Sequence, residues 1–188
     1  MSVKVVLGMG LDGPLMTPLT PSVGELKTGP SGFLGWLEGQ LGLEQPPAGF
    51  TERVLQYLAC LRRADNPQRF YHRSLQVDEI GVARQLLGWR DAWYLAGWNG
   101  QVFVDGSARL RDLAEIEQQA VSEVLPGEGQ RLQAVVEALK LVRLPVTVYQ
   151  LDPLGAFPYA WQQVLTELDT TLAPESQVEG WRAQGDPN

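Results

Sequence analysis

The opening apolar positions fall at every second residue. Val3, Val5 and Leu7 alternate with Lys4 and Val6, a run that predicts a mostly buried β-strand. It ends in Gly8, Gly10 and Gly13, and then Pro14, Pro18 and Pro21 prevent a long helix from starting at once. Beyond them the apolar spacing lengthens to that of helices. Ser31 is placed to cap a short helix with Phe33, Leu34, Leu37 and Leu41 on its apolar face and Gly42 to close it. Thr51 is placed to cap the next, with Phe50 and Leu55 at staple spacing across the cap. Val54, Leu55, Leu58 and Leu61 form its stripe, and Asn66-Pro67 stops it. Phe70 to Leu75 predicts a short strand.

Asp78 then begins a helix marked by Ile80, Ala83, Leu86, Leu87, Arg90 and Tyr94, and Gly97 and Asn99-Gly100 end it. Val102 to Val104 is too short to assign. Ser107 opens a helix with Leu110, Leu113, Ile116, Ala120 and Val124, which Pro126-Gly127 terminates. Leu132, Val135, Val136, Leu139 and Val142 repeat at 3.6-residue spacing up to Pro145. The β-branched run Val146 to Leu151 predicts a second strand, and Pro158 suits the first turn of a last helix with Trp161, Val164, Leu165 and Leu168 inward. Strand, helical block, strand, helix is an α/β order with the first and last strands parallel. The expected fold is therefore a small, mainly parallel sheet over residues 1–174, with a helical insertion at about 30–100 and a polar tail or linker at 175–188.

Composition narrows the function. In 188 residues, 44% are hydrophobic, enough for a true core. No apolar run approaches a membrane span, and Val3 to Leu7 is too short for a signal-peptide core, so a cytoplasmic protein with no membrane partner is expected. One cysteine, Cys60, and one histidine, His72, leave multi-cysteine metal sites and ordinary His-based zinc sites without ligands. The net charge of −7 divides as −2 over residues 1–50, +2 over 51–98 and −7 over 99–188. The middle stretch holds Arg62, Arg63, Arg69 and Arg73 beside Phe70, Tyr71 and His72. Guanidinium groups next to flat rings suit a nucleic-acid backbone and its bases, which makes these four arginines and Tyr71 the candidate DNA contacts. Arginines on one amphipathic face paired to Asp65, Asp78 and Glu79 are the competing reading. Trp89, Trp93 and Trp98 cluster around one helix end and fit either a docking face or core packing with the indole N–H groups satisfied at the margin.

The catalytic motifs fail on chemistry. Gly8-Met9-Gly10-Leu11-Asp12-Gly13 fits the dinucleotide fingerprint G-x-G-x-x-G. That fingerprint requires a helix directly after it and an acidic residue closing a second strand, and here prolines occupy the helix position. As a phosphate cradle the loop lacks the lysine that grips the terminal phosphates. The only lysines are Lys4, Lys27 and Lys140, and Gly-Lys-Ser/Thr occurs nowhere. Cys60 lies on or beside an apolar stripe, where cysteine acts as a small hydrophobe. Asp78-Glu79 suits general acid–base work less than it suits a helix start, where the dipole favours acids. Magnesium nuclease chemistry would need a separated Asp with Glu-x-Lys on a strand. No catalytic residue, cofactor or metal is expected.

Several stretches carry a family likeness in order. They are Val3-Lys4-Val5-Val6-Leu7-Gly8; Gly29-Pro30-Ser31-Gly32-Phe33-Leu34-Gly35-Trp36-Leu37-Glu38; Leu41-Gly42-Leu43; Arg53 with Gln56-Tyr57-Leu58; Arg69-Phe70-Tyr71 with Ser74 and Asp78; Leu86-Leu87-Gly88-Trp89-Arg90-Asp91; Gly97-Trp98; and Trp161-Gln162-Gln163-Val164-Leu165. Taken together they resemble the N-terminal region of bacterial PD-(D/E)XK nuclease-family proteins of the AddB type, whose helicase part is an inactivated superfamily I helicase. The most specific piece is Leu86-Leu87-x-Trp89-Arg90-Asp91 followed by Gly97-Trp98. The resemblance implies a first RecA-like (P-loop NTPase-like) subdomain with a helical insertion, and a non-catalytic scaffold role in DNA double-strand-break repair and recombination. The implied partners are the remaining domains of the same polypeptide, DNA, and a helicase–nuclease partner subunit. The nuclease motif would lie in a C-terminal region that this sequence does not contain. The alternative is an independent protein-interaction module using the tryptophan face. Within the helicase-like reading, Arg90 and Asp91 are candidates for an internal charge pair that fixes the insertion.

Overall fold

The computed structural model describes residues 3–12, 24–43, 49–101 and 106–174. Gly13, the three prolines after it, Val102 to Val104 and the 175–188 tail lie outside them. The chain divides into two compact units: Met1–Glu44 with Leu132–Asn188, and Gln45–Arg131.

The first unit is built on a four-stranded, all-parallel sheet. Its spatial order is β2 (Glu25–Thr28), β1 (Val3–Leu7), β3 (Val146–Gln150) and β4 (Thr171–Leu172). The expected parallel pairing of the opening and late strands is present, with Val5 opposite Val148 and Leu7 opposite Gln150. Val5, Val6 and Leu7 are fully buried, as an interior parallel strand requires when both of its faces are covered. β2 and β4 escape the sequence pattern because Glu25-Leu26-Lys27-Thr28 holds one large apolar residue and β4 is two residues long. α1 (Pro30–Leu41) and α7 (Tyr159–Glu167) supply Phe33, Leu34, Leu37, Trp161, Val164 and Leu165 to the core. The rings of Phe33 and Trp161 stack with centroids 6.2 Å apart.

The second unit is helical: α2 (Phe50–Ala64), α3 (His72–Val77), α4 (Glu79–Leu95) and α5 (Ala108–Glu123). α6 (Glu128–Leu139) begins in this unit and ends in the first. α2 and α4 run antiparallel, since Arg62 near the end of α2 bonds Glu79 at the start of α4, whereas Arg53 near the start of α2 bonds Asp91 late in α4. Val54, Tyr57, Leu58, Leu61, Leu86, Leu87, Leu113, Ile116 and Ala120 form the core between α2, α4 and α5. The helical block therefore occupies 45–131 instead of about 30–100, because α1 packs with the sheet.

Three local expectations are corrected. Phe70 to Leu75 is not a strand: Phe70 and Tyr71 form a turn, and His72 to Leu75 are the first residues of α3. Asn66 accepts from the N–H of Gln68 at 3.0 Å, and the N–H of Phe70 donates to the Asp112 carboxylate at 3.2 Å, so the backbone is satisfied without a neighbouring strand. Ser31 and Thr51 are not caps but lie inside the first turns: α1 and α2 begin two residues earlier than those caps would set, with Gly29 and Gly49 at the cap positions. Phe50 and Leu55 stay about half exposed, so no buried staple forms. Ser107 and Asp78 cap α5 and α4 as expected, accepting from Leu110 and Gly81. Among the described residues, no helix is long and apolar enough to cross a membrane.

Candidate functional site

In an open parallel sheet, ligands bind outside the carboxyl ends of the strands where successive connections leave in opposite directions. β1 is that strand here, with β2 on one side and β3 on the other. Its end leads through Gly8 into a single 3-10 turn, Met9–Asp12. The turn is tied down by Leu11 N–H on Gly8 O (3.1 Å), by Gly8 N–H on Thr28 O (3.3 Å), and by Met9 N–H on the Asp152 carboxylate (2.7 Å). A side chain at Gly8 would meet Leu151 Cδ1 at 2.9 Å, so glycine lets the turn lie close to the chain leaving β3.

Beside this turn, the amino end of α1 presents the free N–H groups and positive dipole end that phosphate-binding loops use. They are already taken. Asp12 accepts from the N–H of Ser31 at 2.7 Å and from that of Gly32 at 3.4 Å, so a carboxylate of the chain itself stands in the anion position. Gly29 and Pro30 offer α1 no side-chain cap, and Asp12 supplies it from 19 residues upstream. Gly29 is required by this closeness: a Cβ there would lie 2.5 Å from the backbone N of Asp12. The described loop thus carries two carboxylates, Asp12 and Asp152, and no lysine or arginine, a field that repels phosphate. Among the described residues, no three His, Cys, Asp or Glu side chains are placed to hold a metal ion.

The arginines of the helical unit are distributed unequally. Arg62 makes a two-pronged pair with Glu79, whose carboxyl is held below its usual range mainly by that hydrogen bond. Arg63 pairs with Glu123 and lies 3.5 Å from Cys60 Sγ. Arg69 reaches Asp112 at 2.7 Å and Glu115 at 2.6 Å, and its Nε donates to Ala64 O. Arg73 is exposed and has no ion-pair partner among the described residues. Tyr71 is buried, its ring edge-on to Phe70 with centroids 5.4 Å apart. Of the acids weighed as partners, Glu79 takes Arg62, Asp65 takes His72 at 2.9 Å, and Asp78 caps α4.

Arg90 and Asp91 do not pair with each other. Successive helical positions point about 100° apart, and each residue finds another partner. Arg53 grips Asp91 with both terminal nitrogens, at 2.8 and 2.6 Å, and gives its Nε to Leu125 O. Arg90 bonds Glu117, which also accepts from Tyr94 Oη at 2.9 Å. Sequence reasoning passed over Glu117, although it sits four residues after Leu113 and three before Ala120, on the buried stripe of α5. A carboxylate at such a position announces a buried partner.

Two of the three candidate tryptophans are packing residues. Trp93 and Trp98 meet edge to face at 5.6 Å, Trp98 lies 5.1 Å from the Tyr94 ring, and its Nε1 donates to Gln101 O at 2.8 Å. Trp89 is the outward ring, 36% exposed. Cys60 and His72 are engaged separately: burial pushes the thiol pKa up, and His72 is held between Asp65 and Gln76. The chain matches no protein-family model and no curated protein.

Proposed function

We propose that this chain is a non-catalytic, helicase-like scaffold domain of a larger bacterial helicase–nuclease protein acting in DNA double-strand-break repair. The observation that carries the reading is the Asp12 carboxylate on the amino end of α1, where a nucleotide phosphate would otherwise be received. A parallel sheet with its first strand inside, a glycine turn after that strand and a helical block inserted before β3 are in keeping with a RecA-like origin. The ion pairs of Arg62, Arg63 and Arg69 favour a scaffold over a DNA path along those residues, because phosphate would have to displace a carboxylate at each. The interaction-module reading keeps only the Trp89 ring as an exposed anchor.

Calorimetric titration with ATP and magnesium, and with NAD, tests the proposal. No saturable heat is expected, and saturable binding of the triphosphate would overturn it. Reading the gene past Asn188 is the complementary test. Continuation into helicase-like sequence and a nuclease motif supports the scaffold, whereas an immediate stop would favour the independent module.

A further inference from the structure

We infer that Asn99 is a site of spontaneous covalent modification, where the backbone nitrogen of Gly100 closes on the side-chain amide, expels ammonia and leaves aspartate or isoaspartate. The inference stands on the geometry of one turn and is independent of the helicase-like reading.

The turn follows α4 and is arranged for that closure. Asn99 is exposed to the water that the reaction consumes. Its Oδ1 accepts from the N–H of Gln101 at 3.2 Å, and Gln101 is itself fixed because its carbonyl accepts from Trp98 Nε1 at 2.8 Å. The Gln101 N–H therefore sits on the atom that becomes an oxyanion when Asn99 Cγ is attacked, and it draws electron density from that carbon beforehand. The attacking nitrogen is open. Gly100 has no Cβ to crowd the approach, and among the described residues its N–H has no hydrogen-bond partner. Its φ of 82° is one that a residue with a side chain rarely adopts. Asn66 supplies the contrast within the same chain. Its Oδ1 accepts from Gln68 N–H at 3.0 Å in the same type of turn, but the next residue is Pro67, whose nitrogen has no hydrogen to lose.

Hydroxide removes the Gly100 amide proton, the nitrogen bonds to Asn99 Cγ, and the electron pair of the Cγ–Oδ1 double bond moves onto Oδ1. The intermediate collapses by breaking the Cγ–Nδ2 bond, and Nδ2 takes a proton from water and leaves as ammonia. Water then opens the five-membered succinimide. Attack at Cγ breaks the new bond and leaves aspartate. Attack at the Asn99 main-chain carbonyl breaks the original peptide bond and leaves the chain running through Cγ as isoaspartate. One water is consumed and one ammonia released, with no change of oxidation state.

The products do not fit the turn. Gly100 lies so close to the buried network of Arg90, Tyr94 and Glu117 that a Cβ on it would meet Tyr94 Oη at 2.8 Å and Glu117 Cγ at 3.4 Å. Isoaspartate lengthens the main chain by one carbon immediately before this point, and either product adds a negative charge next to it. The Trp98 indole then loses its anchor on Gln101 and its seat against Trp93 and Tyr94.

The test incubates the whole chain in heavy-oxygen water at neutral and at mildly alkaline pH, beside a free peptide of residues 95–103, and maps both by proteolysis and mass spectrometry. Asn99 should turn into labelled aspartate and isoaspartate several-fold faster in the native chain than in the peptide. The rate should rise about tenfold per unit of pH, as a step led by the deprotonated amide requires. Asn66 should stay asparagine. Gln101→Pro removes the bracing N–H and should bring the native rate down to that of its own peptide; if this variant does not fold, the comparison of unaltered chain with peptide decides alone. The modified chain, separated by ion exchange, should unfold at lower urea with red-shifted tryptophan emission. Modification of Asn99 no faster in the native chain than in the peptide would overturn the inference, as would a native rate indifferent to Gln101→Pro. Equal labelling of Asn66 would mean direct hydrolysis of side-chain amides and would overturn it too. A modified chain with the urea midpoint and emission of its parent would overturn the structural consequence.

Discussion

Arg90 donates from Nε and Nη2 to the two carboxylate oxygens of Glu117 at 2.6 and 2.7 Å, and both side chains are 2% exposed. Tyr94 adds a third hydrogen bond to the carboxylate, and its ring lies 5.2 Å from the guanidinium carbon. Arg90 Nη1 is buried without a protein partner, so the cation depends on this one acid. Glu117→Gln should therefore destabilise the chain by about 3–5 kcal/mol, the usual result of stranding one member of a buried pair. Replacing both residues, as Arg90→Met with Glu117→Leu, should recover most of that loss. Urea unfolding of the two variants checks the sign and order. Equal destabilisation by the single and double changes would show that the pair is not the source.

Asp12 caps α1 from a distance, so Asp12→Ala should lower stability by about 0.5–2 kcal/mol, the range for losing an N-cap. Asp12→Asn keeps an acceptor and should lose less. Neither variant should bind ATP, since no lysine reaches the turn. Thermal unfolding with and without magnesium ATP reads both points, and a nucleotide-dependent rise in melting temperature for Asp12→Ala would contradict the second.

The buried phenols predict alkaline behaviour. Burial, with the charge of Glu117 second, raises the pKa of Tyr57 and Tyr94, and burial pushes Tyr71 up to about 12. An unfolded tyrosine titrates near about 10. Below that pH both states keep the proton and the stabilisation is whole. Above it the unfolded chain releases protons that the native chain retains, so stability falls with rising pH until the native values are passed. Absorbance at 295 nm should show these three phenolates appearing only as the helical circular dichroism is lost. Of the five tyrosines, ionisation of more than two with the helical signal intact would refute this.

Neutralising the acids that hold two surface arginines should expose latent charge. Glu79→Gln with Glu123→Gln frees Arg62 and Arg63, and should strengthen retention of single-stranded oligonucleotide at low salt, with a steeper salt dependence. Fold stability should change little, because exposed pairs contribute about 0–1 kcal/mol each. Unchanged DNA binding across a salt series would mean that these arginines lie off any nucleic-acid path.

The amphipathic helices were legible because their stripes keep one period over about two turns or more, as in Leu132, Val135, Val136 and Leu139. β1 and β3 were legible through dense β-branched runs. β2 was not, since a four-residue edge strand with one leucine carries almost no periodic signal. The segment at Phe70 had strand propensity but no neighbouring strand to pair with, and a side-chain acceptor 42 residues away took its backbone N–H instead. Long-range polar partners were the least readable. Asp12 sits in a motif that suggests ligand binding, and its role appears only when β1, β2 and α1 are placed together. One hint was present: a helix opening Gly29-Pro30 has no cap of its own and must borrow one.

The pairing of Val5 with Val148 has a consequence for biosynthesis. The middle of the sheet joins residues 143 positions apart in sequence, so β1 gains its β3 neighbour only after that distant segment has been translated. Residues 45–131 are contiguous and rich in local contacts, and can mature during that interval. Val3 to Leu7 can meanwhile pair with β2 but keeps its β3 side open, an apolar edge on the nascent chain that suits chaperone binding and that slow elongation would leave exposed to aggregation.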